Sequence, residues 1–393
     1  MKINYKSTIY ACFAGYIVQA IINNFAPLLF LTFQDYYWIP LSKITFLVTF
    51  NFLFQLAVDL IAAVVIDKIG YRVAAVAAHV FAAAGLVSMA FLPELTPDPF
   101  AGLLISVVIY ALGGGLLEVL ISPIVEACPT DNKEAAMSLL HSFYCWGHVG
   151  VVLLSTLFFV TVGIGHWKIL AVLWAVVSVI NGIVFLRVPI AKLLPDEEKG
   201  MSIKELVSGK AFWIFVLLMF CAGSCEQAVS QWASAFAEKG LDISKTLGDL
   251  AGPMIFAICI GTSLVMYSKI GEKLQLRMAM VFCGVLCLGS YLLIALSPLP
   301  LLGLIGCGIC GFSVGLLWPG TFSLAAVGLP RGGTAMFALL ALAGDLGCSM
   351  GPTLVGRVSA AAGDDLRKGI LAAIVLPVML LVALGWNKRG NKG

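Results

Sequence analysis

Charged residues are scarce: Asp, Glu, Lys and Arg make up 11% of the 393 residues, against about 25% in soluble domains. That scarcity excludes a water-coated globular protein. The net charge of +3 is small and spread over loops, so there is no basic patch and no nucleic-acid partner is expected. The eleven cysteines lie almost entirely inside apolar runs, where they read as small hydrophobes rather than as a disulfide framework. Cys307-Gly-Ile-Cys310 has C-x-x-C spacing, but its flanks are glycine-rich and apolar and no second ligand pair accompanies it. No metal and no cofactor are therefore expected. A G-x-x-x-x-G-K-[ST] run is also missing, which argues against an ATP site. No metal-ligand trio or nucleophile arrangement is legible, so the chain does not read as an enzyme.

What the sequence has in abundance is long apolar runs. Hydrophobic residues are 61% of the chain and the mean hydropathy is +1.02; a spanning helix needs roughly 20 apolar residues. Six runs fall at about 8–33, 44–66, 73–92, 100–125, 135–162 and 169–186. The first carries Gln19, Asn23, Asn24 and Pro27 as interruptions and has no A-x-A exit, so it reads as an uncleaved helix. A polar, proline-containing stretch at 187–210 then divides the chain. Six more runs follow at about 211–237, 250–268, 278–297, 301–327, 334–362 and 369–386. The expected fold is an all-α integral membrane protein of twelve transmembrane helices in two six-helix bundles, 1–187 and 211–393, joined by a cytoplasmic linker at 188–210. Loops reached after an even number of crossings hold most of the Lys and Arg, from Lys2 and Lys6 through Lys199 to Lys388, Arg389 and Lys392. The positive-inside rule then puts both termini in the cytoplasm.

The two halves repeat each other. Gly113-Gly-Gly-Leu-Leu-Glu118 in the fourth run answers to Gly315-Leu-Leu-Trp318-Pro319 in the tenth, with Gly115 and Gly315 200 residues apart and Met137 and Met336 199 apart. Asp67-Lys-Ile-Gly70-Tyr-Arg72 after the second run answers to Ser268-Lys-Ile-Gly271-Glu-Lys273 after the eighth, at an offset of 201. Two landmarks at one spacing indicate parallel six-helix repeats of the kind found in transporters. The copies differ at one ionisable position, where Glu118 is replaced by Trp318.

The stretch Ala63-x-x-x-Asp67-Lys68-x-Gly70-Tyr71-Arg72 resembles the cytoplasmic loop motif of the major facilitator superfamily, G-x-x-x-D-R/K-x-G-R/K-R/K, with Ala63 for the first glycine and Tyr71 for one basic residue. Asn23-Asn24, Gly113 to Gly115, Glu118, Ser122-Pro123 and Leu140-His141-Ser142-Phe143 are similar to the fucose–galactose–glucose proton symporter family within it. The resemblance implies a secondary transporter working by alternating access, with a proton as coupling ion. Family members often carry an acid a few positions after the asparagine pair, where this chain has Phe25-Ala26-Pro27. A two-acid proton site does not carry over directly. The P-E-S-P-R type signature of another sugar-transporter group is absent after the sixth run, and the fourth run has no arginine of the drug/proton antiport kind.

An ionisable group at membrane depth costs about 2.5–3.5 kcal/mol on insertion scales, so its presence points to a cavity and a use. Four acids qualify: Asp59, Glu118, Glu226 and Asp345. Glu118 and Glu226 are the proton-coupling candidates, since carboxyl groups withheld from water titrate nearer neutrality. Gln19 and Asn23 share a helix face with Asn24 beside them, and Gln227, Gln231 and Ser234 form a polar stripe near Trp232. Amides pair with hydroxyls in both directions, and an indole can cover the apolar face of a sugar. His141, Tyr144 and His148 on the fifth run, Trp318 on the tenth and Asp345 before Gly347-x-x-x-Gly351 complete the substrate-binding candidates. A conformational role falls to Asp59 and to Asp67, Lys68, Gly70 and Arg72 of the loop.

These residues predict a monomeric, multi-pass transporter of the plasma membrane that takes up a small hydroxylated solute, a sugar or sugar derivative, with a proton. The same scaffold would also serve a proton-coupled exporter of amphipathic compounds or an uncoupled facilitator.

Overall fold

The structure, a computed structural model, describes residues 4–193, 200–363 and 365–390. Lys2, Lys199 and Lys392 of the basic loop residues lie outside the described residues, as do the side chains of Lys388 and Arg389.

All regular structure among the described residues is helical. α1 (Lys6–Phe25) runs through a 3-10 turn (Ala26–Leu29) into α2 (Phe30–Tyr37). α3 (Leu41–Ile69), α4 (Tyr71–Leu95), α5 (Pro99–Ala127), α6 (Lys133–Thr161) and α7 (Trp167–Arg187) follow. After the short α8 (Ile203–Ser208) come α9 (Lys210–Ser230), α10 (Ala233–Leu241), α11 (Lys245–Ile270), α12 (Leu276–Leu296), α13 (Pro300–Val314), α14 (Leu317–Gly328), α15 (Gly333–Ala361), α16 (Leu366–Ala372) and α17 (Val375–Gly390). Eleven helical segments among the described residues are long and apolar enough to cross a membrane. Their outer faces carry bare apolar side chains such as Phe282 (63% exposed) and Val160 (78% exposed), an arrangement that suits hydrocarbon and not water.

Three runs that read as single helices are split. Pro319 and Pro377 sit in the first turn of α14 and α17, just past breaks at 315–316 and 373–374. A proline has no N–H to donate to the residue four back and clashes with that carbonyl, yet it is tolerated in a first turn. Pro27 does the same inside the 3-10 turn after α1. The third break, at Gln231–Trp232, has no proline. It lies where α11 comes close: a Cβ on Gly252 would stand 2.3 Å from the Ala233 carbonyl oxygen.

The dividing stretch is not bare coil. α8 carries a capping box in which Ser202 Oγ accepts from the Glu205 N–H (3.3 Å) and Glu205 Oε2 accepts from the Ser202 N–H (2.6 Å). Those bonds from Ser202 hold the exposed Glu205 carboxyl below the usual carboxylate range. A lowered acid keeps its contribution above its unfolded value and loses it as pH falls, so the cap is intact at neutral pH. The Met201 N–H donates to the Arg331 carbonyl (2.8 Å), pinning the incoming chain to the loop before α15.

The chain divides into two compact units, one of residues 1–129 and 146–197 and the other of 130–145 and 198–393. In the first unit α5 is central, packed by α1, α3 and α4, with α7 along α4. In the second, α9 lies along α15, and α13 packs on α11 and α12. The first half of α6 is bound within the second unit: Ser138 Oγ donates to the Leu264 carbonyl (2.9 Å), and Tyr267 OH donates to Glu134 Oε2 (3.0 Å).

Candidate functional site

In the first unit the glycine triplet does the positioning. A Cβ on Gly113 would stand 2.6 Å from the Ala78 carbonyl oxygen of α4, on Gly115 2.9 Å from Val58 Cβ of α3, and on Gly114 3.0 Å from Gln55 Nε2. Without side chains there, α5 is drawn against both neighbours, and the residues one turn on meet α1. Gln19 Nε2 donates to Glu118 Oε2 at 3.1 Å, and Tyr16 OH and Ser122 Oγ lie 2.8 Å apart one turn along. Gln19 is buried and Glu118 half-buried. The polar row of α1 continues to Asn23, whose Oδ1 accepts from Gln55 Nε2 at 3.0 Å; the same nitrogen donates to Asn51 Oδ1 at 3.1 Å. Asn23 and Asn51 line a narrow cleft with about 20 Å³ of open room, walled by Pro27, Phe30, Phe52 and Tyr110 among others. Asn24 turns away from this row, its Nδ2 donating to the Ala20 carbonyl of its own helix (2.8 Å).

In the second unit Glu226 and Gln227 are half-buried in the last turn of α9. Tyr291 OH fixes the preceding residue by donating to the Cys225 carbonyl (2.8 Å). α9 ends at Ser230, yet the Gln231 N–H still donates to the Gln227 carbonyl (3.2 Å), so these two amides of the expected stripe stay one turn apart; Gln231 is exposed, and Ser234 follows the break, in α10. Trp232 keeps a buried indole N–H with no hydrogen-bond partner among the described residues. Trp318 packs against α15, where a Cβ on Gly344 would stand 2.2 Å from the outer edge of its ring. It heads an aromatic row: its ring is 6.4 Å from Phe322, which is 5.2 Å from Phe337 and 6.1 Å from His141. Asp345 follows Gly344 and is half-buried. Tyr144, half-buried, shares the first half of α6 with His141, whereas His148 belongs to the second half, within the first unit.

The loop between α3 and α4 turns at Gly70, whose φ of +84° and ψ of 147° suit glycine alone. Asp67 and Lys68 are exposed. Arg72 reaches back to the end of α7, donating to the carbonyls of Phe185, Leu186 and Val188, each at 2.8 Å. It closes carbonyls that a helix end leaves without partners. The second unit has an equivalent clamp, Arg277 of α12 donating to the Leu384 carbonyl of α17 at 2.6 and 3.1 Å. The sequence alignment of the two loops pairs Arg72 with Lys273, which is exposed instead; the working counterpart stands four residues further on. Asp59 is fully buried on α3.

Two substitutions test this corner. Arg72→Lys keeps the charge but has one nitrogen for three carbonyls, and it should cost about 1–2 kcal/mol. Gly70→Ala should cost about 1–3 kcal/mol through backbone strain. Both are read as losses of thermal stability in detergent, by intrinsic fluorescence of the purified protein.

The family model described as Major Facilitator Superfamily matches residues 11–352. The chain belongs to the major facilitator superfamily. Among solved structures it is similar to FucP in its outward conformation, with a TM-score of 0.82 at 15% identity over 98% of this chain and 99% of that one; a second structure of that protein gives it as the E. coli fucose:proton symporter. The proton:xylose symporter XylE gives 0.81 at 12% identity, covering 98% and 95%. The human organic anion transporter MFSD10 gives 0.75 at 16% identity, covering 98% and 100%. A curated relative, membrane protein MosC of Rhizobium meliloti, is 22% identical over 294 residues, 74% of this chain and 69% of that one. At these identities the solved structures share the fold. A transporter of small molecules embedded in a bilayer follows from the superfamily.

As a member of the superfamily, the chain brings Gln19, Asn23 and Glu118 into one row in the first unit. It gathers Trp318 and His141 around Phe322 in the second. Sequence reading missed the residues that complete the first row: Tyr16, Asn51, Gln55 and Ser122. Asn51 and Gln55 stand four apart on one face of α3, the same spacing that marks Gln19 and Asn23 on α1. It also missed His79, buried on α4, whose Nδ1 lies 2.7 Å from the Ala75 carbonyl and whose Nε2 lies 2.8 Å from Asn181 Nδ2. With Asn181 also donating to the Ala11 carbonyl (3.0 Å), that trio is a satisfied structural tie among α1, α4 and α7.

Proposed function

We propose that this transporter moves a small hydroxylated solute, a sugar or sugar derivative, inward together with a proton carried by Glu118. The observation that carries the reading is the pair Gln19–Glu118: a carboxyl on a spanning helix, held at 3.1 Å by an amide of α1. A hydrogen bond of this kind lowers the cost of keeping an acid at membrane depth. The same α1 row continues into amides that suit hydroxyl groups. The names of the fucose:proton and proton:xylose symporters support the solute class and the coupling ion.

In this reading Glu226 is the second proton group. Asn23, Asn24, Gln227, Gln231 and Trp232 supply polar and stacking contacts, and His141, Tyr144, His148, Trp318 and Asp345 complete the solute's surroundings. Asp59, Asp67, Lys68, Gly70 and Arg72 hold the conformation in which the cytoplasmic loops are packed. The chain crosses the plasma membrane twelve times as a monomer, with α3 (29 residues, about 43 Å at 1.5 Å per residue) as a full crossing and both termini in the cytoplasm. The halves 1–187 and 211–393 rock about the solute.

The test is uptake into proteoliposomes of radiolabelled pentoses, hexoses, hexitols, nucleosides and amphipathic amines, with and without an imposed pH gradient, acid outside. One sugar or polyol that accumulates only with the gradient is the expected result. Downhill equilibration alone would assign a facilitator, and proton-driven extrusion of an amine would assign an exporter.

A further inference from the structure

The stretch between the two halves carries a sided helix for which solute movement has no use. α8 (Ile203–Ser208) begins at the Ser202 capping box and stops at Gly209. Ile203 and Val207 stand four apart, on one side of it, and both are bare, 38% and 42% exposed. Leu206, beside them around the helix, is fully buried, and α8 packs on α9 and α15. The opposite side is polar and exposed: Lys204, Glu205 and Ser208. Ser208 Oγ donates to the Lys204 carbonyl (2.7 Å), and the Glu205 carboxyl is engaged by Ser202.

Its height relative to the bilayer follows from its neighbour. Gly209 alone separates α8 from α9, a helix long and apolar enough to cross. Trp213, in the first turns of α9, donates its indole N–H to the Val207 carbonyl at 2.7 Å, one of the carbonyls that a helix end leaves open. Its ring is 53% exposed. α8 is thereby fastened level with the start of a crossing, where hydrocarbon gives way to headgroups and tryptophan is favoured. Lys204 and Lys210, both exposed, flank the apolar side; a lysine stem lies along such a surface while its ammonium reaches a phosphate. Asp196, Glu197 and Glu198 lie outside the described residues.

We propose that α8 is seated in the bilayer surface at the Lys210 end of α9. Ile203, Val207 and Trp213 enter the top of the acyl chains, and Lys204 and Lys210 meet lipid phosphates. The partner is the phospholipid leaflet because the bare stripe continues onto a crossing helix and the lysines stand at its edge, the pattern of an interfacial helix. Since the Met201 N–H donates to the Arg331 carbonyl (2.8 Å), the same seat holds the loop before α15 to the membrane. The inference is independent of the solute and of proton coupling.

The test places single bimane labels at Ile203→Cys, Val207→Cys and Ser208→Cys in the full-length protein in phosphatidylcholine vesicles. The native cysteines are buried or half-buried, and unlabelled-variant protein treated alike gives their background. Bimane at 203 and 207 should be quenched by lipid brominated near the top of its acyl chains. Quenching there by aqueous iodide should be about fivefold or more weaker than at 208, which faces water. Iodide quenching at 203 and 207 equal to that at 208 would overturn the proposal and leave the stripe for a soluble partner. Equal lipid quenching at all three positions would overturn the sided seat. Wild-type protein supplies a measurement without any variant: a phospholipid with a photoactivatable carbene source near the glycerol should label the tryptic peptides ending at Lys204 and Lys210. Label on the crossing helices but on neither of these peptides would overturn the proposal as well.

Discussion

Glu118→Gln is expected to abolish accumulation of the solute against its gradient while leaving solute exchange between the two sides of the bilayer within about threefold of wild type. The substitution is close to isosteric, and the new amide oxygen still accepts from Gln19 Nε2, so the link between α1 and α5 at 3.1 Å survives. What disappears is the exchangeable proton. With one proton per solute, a pH difference of one unit is worth about 1.4 kcal/mol. Wild type should then concentrate solute about tenfold per unit, and the variant should fall to an accumulation ratio near one. Glu118→Leu is the companion: it removes both the proton and the acceptor for Gln19, and it should lose thermal stability as well as coupling. Were Glu118 only a tie between helices, the glutamine variant would keep its accumulation and only the leucine variant would suffer. The comparison is read as labelled-solute accumulation and counterflow in the same proteoliposomes.

Gly347→Leu is expected to prevent folding of the second unit. A Cβ at Gly347 would stand 2.1 Å from the Phe220 carbonyl oxygen, at Gly351 2.4 Å from that of Ser224, and a Cβ on Gly223 of α9 would stand 2.2 Å from that of Gly344. Glycines on both helices thus let α9 and α15 cross backbone to backbone, and Ser224 Oγ donates to the Gly347 carbonyl at 3.1 Å. Side-chain overpacking costs about 1–3 kcal/mol when neighbours can shift. Here the obstacle is a carbonyl already engaged in its own helix, so the loss should sit at or above the top of that range. Even Gly347→Ala should sharply lower the yield of monodisperse protein by size exclusion in detergent. Gly385→Ala is the control, since no heavy atom lies within 4 Å of a Cβ there, and it should be neutral or slightly stabilising.

The all-helical membrane fold and the duplication are written openly in the sequence, because hydrocarbon forces each crossing to be a long apolar run with its polar groups gathered in the loops. Gly115 and Gly315 show how far the repeat goes: the first packs on α3 at Val58 and the second on α11 at Ile260, the equivalent helices of the two halves. The breaks were harder to read. Pro319 and Pro377 split their helices, yet Pro123 and Pro352 lie inside unbroken ones, since whether a proline ends a helix depends on what neighbouring helices do with the freed carbonyl. The Arg72 and Arg277 clamps fall out of register with the loop repeat because a long side chain can reach its partner helix from a different turn. In the candidate site, the isolated charges and the amides of α1 stood out against an apolar background. Gln55 and Asn51 did not, because their meaning lies in a hydrogen bond to a residue 32 positions away in the chain.

The most direct measurement of the central claim is external pH, followed with an impermeant dye, when solute is added to proteoliposomes without an ion gradient. Symport predicts alkalinisation outside on adding one sugar or polyol, collapse of the signal by a protonophore, and no signal in Glu118→Gln. Acidification, or the same alkalinisation in wild type and Glu118→Gln, would contradict proton-coupled uptake through Glu118.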